Sequence, residues 1–367
     1  MGTKKPKNIL IAPLDWGLGH TTRCVPLIHY LQHTGHNPIF AGNASQRSFI
    51  GETFGDTINS VHLDGYNITY SKWNRVAQMG LLSQFPAISS AIAHEQEWLL
   101  QNTAKLALDG IISDNRYGLF HSRLPTVIII HQPRVLSGFG NLADRTVQRL
   151  HYKYLNRFGV TWIPDNDGAP NIGGILSHPG NLPLISRYIG PLSRFNEHTA
   201  SQPIHTAGAV VILLSGPEPQ RSELAARLWK QAVDMKSQIV FVEGNETVAP
   251  PAMIPDHIDH YKRVTQEQLG PILADASMVV CRSGYSTIMD LLALGKKAIL
   301  IPTPGQTEQQ YLAGHLHKQG IYYSVEQERF NLEEALTEAG KFPYHKMELA
   351  SCYSQYKAAV SSWVESL

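Results

Sequence analysis

Two short segments gather the residue types that catalysis needs. The first is Leu14-Asp-Trp-Gly-Leu-Gly-His-Thr-Thr-Arg23, which follows the apolar run Asn8-Ile-Leu-Ile-Ala12. Gly17 and Gly19 let the backbone turn tightly after a strand, and His20 then stands near the start of a helix. With an ordinary pKa near 6.5, a histidine there suits proton transfer at neutral pH; a capping or packing histidine is the plainer alternative. Asp114, in Ile111-Ile-Ser-Asp-Asn-Arg-Tyr-Gly118, ends an expected strand of the same sheet. It is a candidate partner for His20, or an N-cap paired with Arg116.

The second segment runs from Val280 to Pro302. A strand ends at Ser283-Gly284 and a helix starts at Ser286-Thr287, so backbone N–H groups and the positive end of the helix dipole meet at the strand's carboxyl end. Such a turn suits a phosphate. An ordinary strand-to-helix turn capped by Ser or Thr has the same look.

These residues need a scaffold that puts strand ends side by side. Short apolar runs at 8–12, 38–41, 110–113 and 126–130 alternate with helical spacing such as Val25, Ile28 and Leu31. Strands without polar alternation belong in a parallel sheet covered on both faces, so the first half reads as a doubly wound α/β domain. Polar, aperiodic sequence follows Ile189-Gly-Pro-Leu192. The pattern then restarts with strands at 209–214, 238–242, 278–281 and 298–301 and a helix at 221–233. The expected layout is residues 1–190, a linker at 191–208, a second Rossmann-like domain at 209–350, and a final helix in 351–367 that returns to the first domain.

Composition narrows the function. The 367 residues suit two domains, and 43% hydrophobic residues give each a core. Thirty-one basic against thirty acidic residues leave a formal charge of +1, which argues against a dedicated nucleic-acid binder. Three scattered cysteines make no disulfide framework, pointing to a cytoplasmic protein. No apolar run approaches the about 20 residues of a membrane helix.

The stretch from Val280 to Ala313, with the loop Pro302-Thr-Pro-Gly-Gln-Thr-Glu-Gln-Gln-Tyr311, resembles the donor-binding region of GT-B glycosyltransferases, above all the MurG-like family. The resemblance implies a GT-B fold, two Rossmann-like domains facing each other across a cleft, and transfer of a sugar, N-acetylglucosamine in that family, from a UDP-linked donor to a hydroxyl acceptor. It implies diphosphate binding by Arg282, Ser283 and Gly284 with Ser286 and Thr287. Asp290 would bind ribose, although the family usually carries glutamate there, and Gln309 and Gln310 would touch the sugar. Val264 and Thr265 fall where the family reads the base through backbone groups, and Ser215 and Gly216 fall in its second glycine loop, here stiffened by Pro217 and Pro219. By the same resemblance His20 is the general base of an inverting, metal-independent displacement, oriented by Asp114 as in plant-type relatives, with Gly17 and Gly19 on the acceptor side. No cofactor is expected. A lipid-linked acceptor and peripheral contact with the inner membrane face follow from the MurG-like likeness.

Two rivals remain. UDP-N-acetylglucosamine 2-epimerases share the architecture and need cleft carboxylates, for which Asp15, Asp114 and Glu218 are candidates. A non-catalytic sugar-nucleotide-binding subunit is the other. Asp165-Asn-Asp167 spells a metal-binding DxD but sits among prolines and glycines as an Asx-rich turn. His257/His260 and His315/His317 lack a third ligand and read as surface histidines. Between Trp73 and Leu100, with Lys72 and Arg75 at its start, Ile88, Ile92 and Leu99 share a helical face and read as core rather than an acceptor lid.

Overall fold

The computed structural model describes residues 5–66, 85–136, 140–195, 208–245, 251 and 253–367. They form two compact units, Met1–Arg194 with Ala350–Leu367, and Phe195–Leu349.

The first unit runs β1 (Asn8–Pro13), α1 (Gly19–His33), β2 (Asn37–Gly42), α2 (Ala44–Phe54), β3 (Asn59–His62), α3 (Phe85–Thr103), β4 (Gly110–Asp114), β5 (Thr126–Ile129), α4 (Asn141–Leu155), β6 (Val160–Ile163) and β7 (Ser186–Tyr188). Its seven parallel strands lie in the order β3-β2-β1-β4-β5-β6-β7. Every residue of β4 and β5 is buried, the reason these strands show no alternation of apolar and polar positions. The order reverses between β1 and β4, and the register sets Pro13 opposite Asp114. Open α/β sheets bind ligands at that switch point.

The second unit repeats the design with β8 (Val210–Leu213), α5 (Gln220–Val233), β9 (Ile239–Val242), β10 (Ile258–Tyr261), α6 (Gln266–Asp275), β11 (Met278–Cys281), α7 (Tyr285–Ala293), β12 (Ala298–Leu300), α8 (Thr307–Lys318), β13 (Tyr323–Ser324) and α9 (Leu332–Lys341). Its six parallel strands run β10-β9-β8-β11-β12-β13, with the switch point between β8 and β11.

The last helix, α10 (Gln355–Glu365), packs on the first unit. Ser361 Oγ lies 2.7 Å from Tyr30 Oη, and Trp363 meets Trp162 edge to face at 6.0 Å between ring centroids. Two glycines permit this seat. A Cβ on Gly110 would lie 2.7 Å from Trp363, and one on Gly190, whose φ is +74°, would lie 1.9 Å from the Cys352 carbonyl oxygen. Of the expected linker, 196–207 lies outside the described residues, while Leu192, Ser193 and Phe195 are buried. The chain leading to it is therefore packed rather than solvated.

Candidate functional site

In the first unit the turn after β1 delivers His20 to the end of β4. His20 Nδ1 lies 3.0 Å from Asp114 Oδ1, both side chains nearly or wholly out of solvent. Arg23, one turn further along α1, grips the same carboxylate with both oxygens: Nε donates to Oδ2 at 2.6 Å and Nη2 to Oδ1. Its Nη2 is also 2.8 Å from His20 Nδ1, and its Nη1 is 2.9 Å from Nδ1 of His131, just past β5. Residues i and i+3 share a helix face, which is why one carboxylate meets both.

The charges decide the protonation states. Burial works to raise the Asp114 pKa, but the Arg23 charge, then that of His20, and hydrogen bonds from both hold the carboxyl well below its usual range. For His20, burial first and Arg23 second lower the pKa below 6.5, against the opposing pull of Asp114. The ring is thus neutral at physiological pH, the state a proton acceptor needs. Cys24, 3.8 Å from Asp114 Oδ2, is raised far out of reactive range by burial and the carboxylate.

The alternative partner for Asp114 is corrected. Arg116 instead pairs with buried Glu95 at 2.9 Å and donates to the carbonyls of Pro13 and Asp64, each at 2.8 Å. Gln46 closes a capping box with Asn43 and reaches back to the Leu14 carbonyl at 3.0 Å and Thr21 Oγ1 at 3.1 Å, steadying the glycine loop. Gly17 has φ +69°, a conformation that favours glycine. Arg23, His131 and Gln46 were not anticipated as members of this site.

In the second unit the candidate donor residues separate into two groups. Arg282 is 2% exposed, and its guanidinium donates to the carbonyls of Ile301, Pro302 and Gln220 at 3.3, 3.3 and 2.9 Å. It ties together the loops after β11 and β12 and the start of α5, and burial pushes its pKa down to about 10. Ser283 Oγ donates to the Gln309 carbonyl at 2.8 Å. Gln309 Oε1 accepts from Thr303 N at 3.0 Å and Thr303 Oγ1 at 2.9 Å. Thr265 caps α6, and its own N–H donates to Gln268 Oε1 at 3.0 Å. The side chains of these four residues thus hold the loops at this edge of the sheet in place. Asp290 is buried at 5% exposure.

The remaining candidates lie nearer solvent. Ser215, Gly216 and Gln310 are exposed, and Val264, Gly284, Ser286 and Thr287 are half-buried. Gly216 has φ +107°, so the turn after β8 needs glycine. The helices after β8, β11 and β12 start at Pro219, Gly284 and Gln306 with no side-chain cap, whereas α6 and α9 are capped by Thr265 and Asn331. Three helices that follow the middle strands of this sheet therefore begin without an N-cap side chain that accepts from their first turn.

Several other expectations meet clear geometry. Asp165 accepts from the N–H groups of Asn166, Ile172 and Gly173 and from Ser177 Oγ at 2.7–2.9 Å, so it organises a turn. The histidines of the two pairs are half-buried, each with a partner in the protein. His257 Nε2 meets the Ala232 carbonyl, His260 stacks on Phe241 beside Glu243, His315 stacks on Tyr311, and His317 Nδ1 accepts from Ser324 N. Of the Trp73–Leu100 stretch, residues 73–84 lie outside the described residues, as does Lys72 before it; Ile92 and Leu99 are buried in core clusters and Ile88 packs against one of them. The epimerase carboxylates are each engaged: Asp114 as above, Asp15 by Tyr66 N at 3.0 Å, and Glu218 by Arg221.

Comparison with known proteins agrees with this layout. Residues 255–361 match the glycosyltransferase family 28 C-terminal domain. The chain is 24% identical over 333 residues, 89% of its length and 86% of the relative's, to a UDP-N-acetylglucosamine–N-acetylmuramyl-(pentapeptide) pyrophosphoryl-undecaprenol N-acetylglucosamine transferase of Yersinia pestis (strain Pestoides F). Among solved structures, the glycotransferase of kitacinnamycin superposes with a TM-score of 0.68 at 15% identity over 99% of both chains. MurG of Acinetobacter baumannii superposes with a TM-score of 0.52 at 13% identity over 99% of this chain and 100% of that one. The chain is a glycosyltransferase of GT-B fold whose residues 255–361 match the glycosyltransferase family 28 C-terminal domain.

Proposed function

We propose that the enzyme transfers a sugar, N-acetylglucosamine by likeness to its curated relatives, from a UDP-linked donor to a hydroxyl acceptor with inversion and without a metal. The observation that carries the reading is the buried 3.0 Å contact between His20 Nδ1 and Asp114 Oδ1. With its Nδ1 proton given to Asp114, the imidazole presents the Nε2 lone pair to the acceptor hydroxyl. Nε2 takes the proton as the oxygen bonds to the anomeric carbon, and the bond from that carbon to the diphosphate oxygen breaks. On this reading the donor's diphosphate is held at the N-terminus of α7, at Gly284, where the positive end of the helix dipole would take up the departing charge in place of a cation. The helix dipole contributes about 0.3–1 kcal/mol, so hydrogen bonds must supply most of the stabilisation.

The test mixes the protein with UDP-N-acetylglucosamine and a panel of hydroxyl acceptors, including a polyprenyl-pyrophosphoryl sugar, in the presence of EDTA. The expected outcome is acceptor-dependent UDP release and a product of inverted anomeric configuration. Conversion of the donor to an isomer without UDP release would indicate the epimerase instead, and tight donor binding with no turnover would indicate a binding subunit. The engaged states of Asp15, Asp114 and Glu218 weigh against the epimerase.

We also infer a cytoplasmic enzyme in peripheral contact with the inner membrane face. Among the described residues no helix is long and apolar enough to cross a membrane. The outer face of α4 exposes Arg145, Arg149 and Lys153 alongside Leu142 and Leu150. A basic face with apolar residues between its charges suits an anionic lipid surface, at about 1 kcal/mol per charge. Co-sedimentation with vesicles containing phosphatidylglycerol should fall when Arg145 and Arg149 are changed to Glu; retention unchanged by that double substitution would refute the assignment.

A further inference from the structure

We propose that Arg23 is the positioning residue of the His20–Asp114 pair, acting by holding the carboxylate and both neighbouring imidazoles rather than by touching a substrate. The inference rests on the reading of His20 as the base. One buried guanidinium reaches both oxygens of Asp114, His20 Nδ1 at 2.8 Å and His131 Nδ1 at 2.9 Å. Such a fork matches a carboxylate in two places and so fixes its rotation, which a lone histidine contact does not.

Arginine only donates, so it also dictates where the ring protons sit. His131 Nδ1 must accept from Nη1, which places the His131 proton on Nε2. His20 Nδ1 has two choices: to donate to Asp114 Oδ1, or to accept from Arg23 Nη2. Only the first leaves Nε2 able to take a proton from a hydroxyl. Nη2 carries two hydrogens and could serve both neighbours, but the 3.0 Å contact to a fully charged carboxylate is the stronger bond for a ring N–H, and this favours the first.

The groups facing His20 are Asp114 from β4, Arg23 from its own helix and His131 beyond β5, with the Cys24 thiol behind the carboxylate. Carboxylate and guanidinium cancel, and a proton on His20 would leave a buried cluster with net positive charge. The resting ring is therefore kept neutral, in agreement with its lowered pKa. Without Arg23, Asp114 alone would favour an imidazolium, and part of the base would be spent before a substrate arrived.

The experiment follows the histidine ring nitrogens of the whole, substrate-free chain by long-range proton–nitrogen NMR across pH, beside a pH profile of kcat. In the unaltered protein His20 is expected in the Nδ1–H form with its midpoint below 6.5. Arg23→Met should raise that midpoint by about one pH unit and lower turnover at pH 6 by at least about tenfold. Arg23→Lys should restore the midpoint, because the charge returns, but not the turnover, because the two-point grip does not.

A folded Arg23→Met protein whose His20 midpoint is unmoved would overturn the proposal, as would an Nε2–H ring in the unaltered protein or full turnover in Arg23→Lys. If Arg23→Met fails to fold, the native tautomer and the Lys variant still decide. Turnover surviving in His20→Ala would remove the base reading alone, and the titration would still report whether Arg23 governs the ring.

Discussion

His20→Ala is expected to lower kcat by roughly 10² to 10⁴, equivalent to about 3–5 kcal/mol of transition-state stabilisation, while donor affinity stays nearly unchanged. The direction follows from where the ring sits. His20 belongs to the first unit, at the β1–β4 switch point, whereas the uncapped helix starts that suit a diphosphate belong to the second. Removing the imidazole takes away the proton acceptor and leaves the candidate donor residues intact. A steady-state comparison of kcat with the dissociation constant for a nucleotide-diphosphate sugar separates the two effects. Equal kcat in the variant would take His20 out of the chemistry, and a matching loss of donor affinity would make it a binding residue.

Asp114 carries the second large effect, on two axes. Asp114→Asn keeps the volume but can no longer hold the Nδ1–H ring by a charged acceptor, and turnover should fall by roughly 10³ to 10⁴, by analogy with other carboxylate-oriented histidines. Asp114→Ala should also destabilise the fold by about 3–5 kcal/mol, because Arg23 is left buried without its counter-charge. For a unit of this size that corresponds to a fall in Tm on the order of 10 °C.

The pH dependence has a definite sign. The folded pKa of Asp114 lies below the unfolded value, so its contribution is complete at neutral pH and is lost only as the medium is acidified below about 4. Unfolding of both proteins followed from pH 7 down to pH 2 should show a wide gap at neutral pH that begins to narrow below about 4 and goes on narrowing as the medium is acidified. A gap that stays equally wide down to pH 2 would mean that the carboxylate charge is not what holds this region together.

Much of this molecule is legible in its sequence, and the residues explain why. Runs such as Ile111-Ile112 and Met278-Val-Val-Cys281 are apolar at every position because both sheet faces are covered, so β4 and β11 stand out. The edge strands β3, Asn59-Ser-Val-His62, and β10, Ile258-Asp-His-Tyr261, carry polar residues toward solvent and lack that signal. Val160-Thr-Trp-Ile163 is buried but too short and mixed to separate from a loop.

The site divides in the same way. His20 and Asp114 could be placed because strand ends and glycine turns determine where a backbone goes. Arg23 could not, since an arginine in the second turn of a helix normally reads as a surface cation. Its signal was the i, i+3 spacing from His20 combined with a buried carboxylate in need of a partner. Arg116 lay nearer in sequence and was the misleading choice, because its own partner, Glu95, arrives from α3. Thr265-Gln-Glu-Gln268 carries the residue types of a capping box, and the Thr265 side chain caps α6. That Arg282 turns inward onto three carbonyls has no local signature at all.

The most direct test of donor binding at α7 is thermal unfolding of the whole chain with UDP, GDP, dTDP and ADP and their common sugars, alone and in Gly284→Asp. A donor at about 100 times its Kd adds roughly 2.7 kcal/mol to the folded state. Gly284 has extended backbone angles, and a Cβ there meets nothing nearer than Thr287 Oγ1 at 4.0 Å, so aspartate fits. As an N-cap it should leave the unliganded protein as stable as before, or more so by a few tenths of a kcal/mol, while its charge repels a diphosphate. The predicted result is a rise in Tm with one nucleotide family, UDP first among them, that disappears in Gly284→Asp although the variant itself melts no lower. An equal rise in both proteins, or none with any nucleotide in the unaltered chain, would contradict the assignment of the donor to this helix.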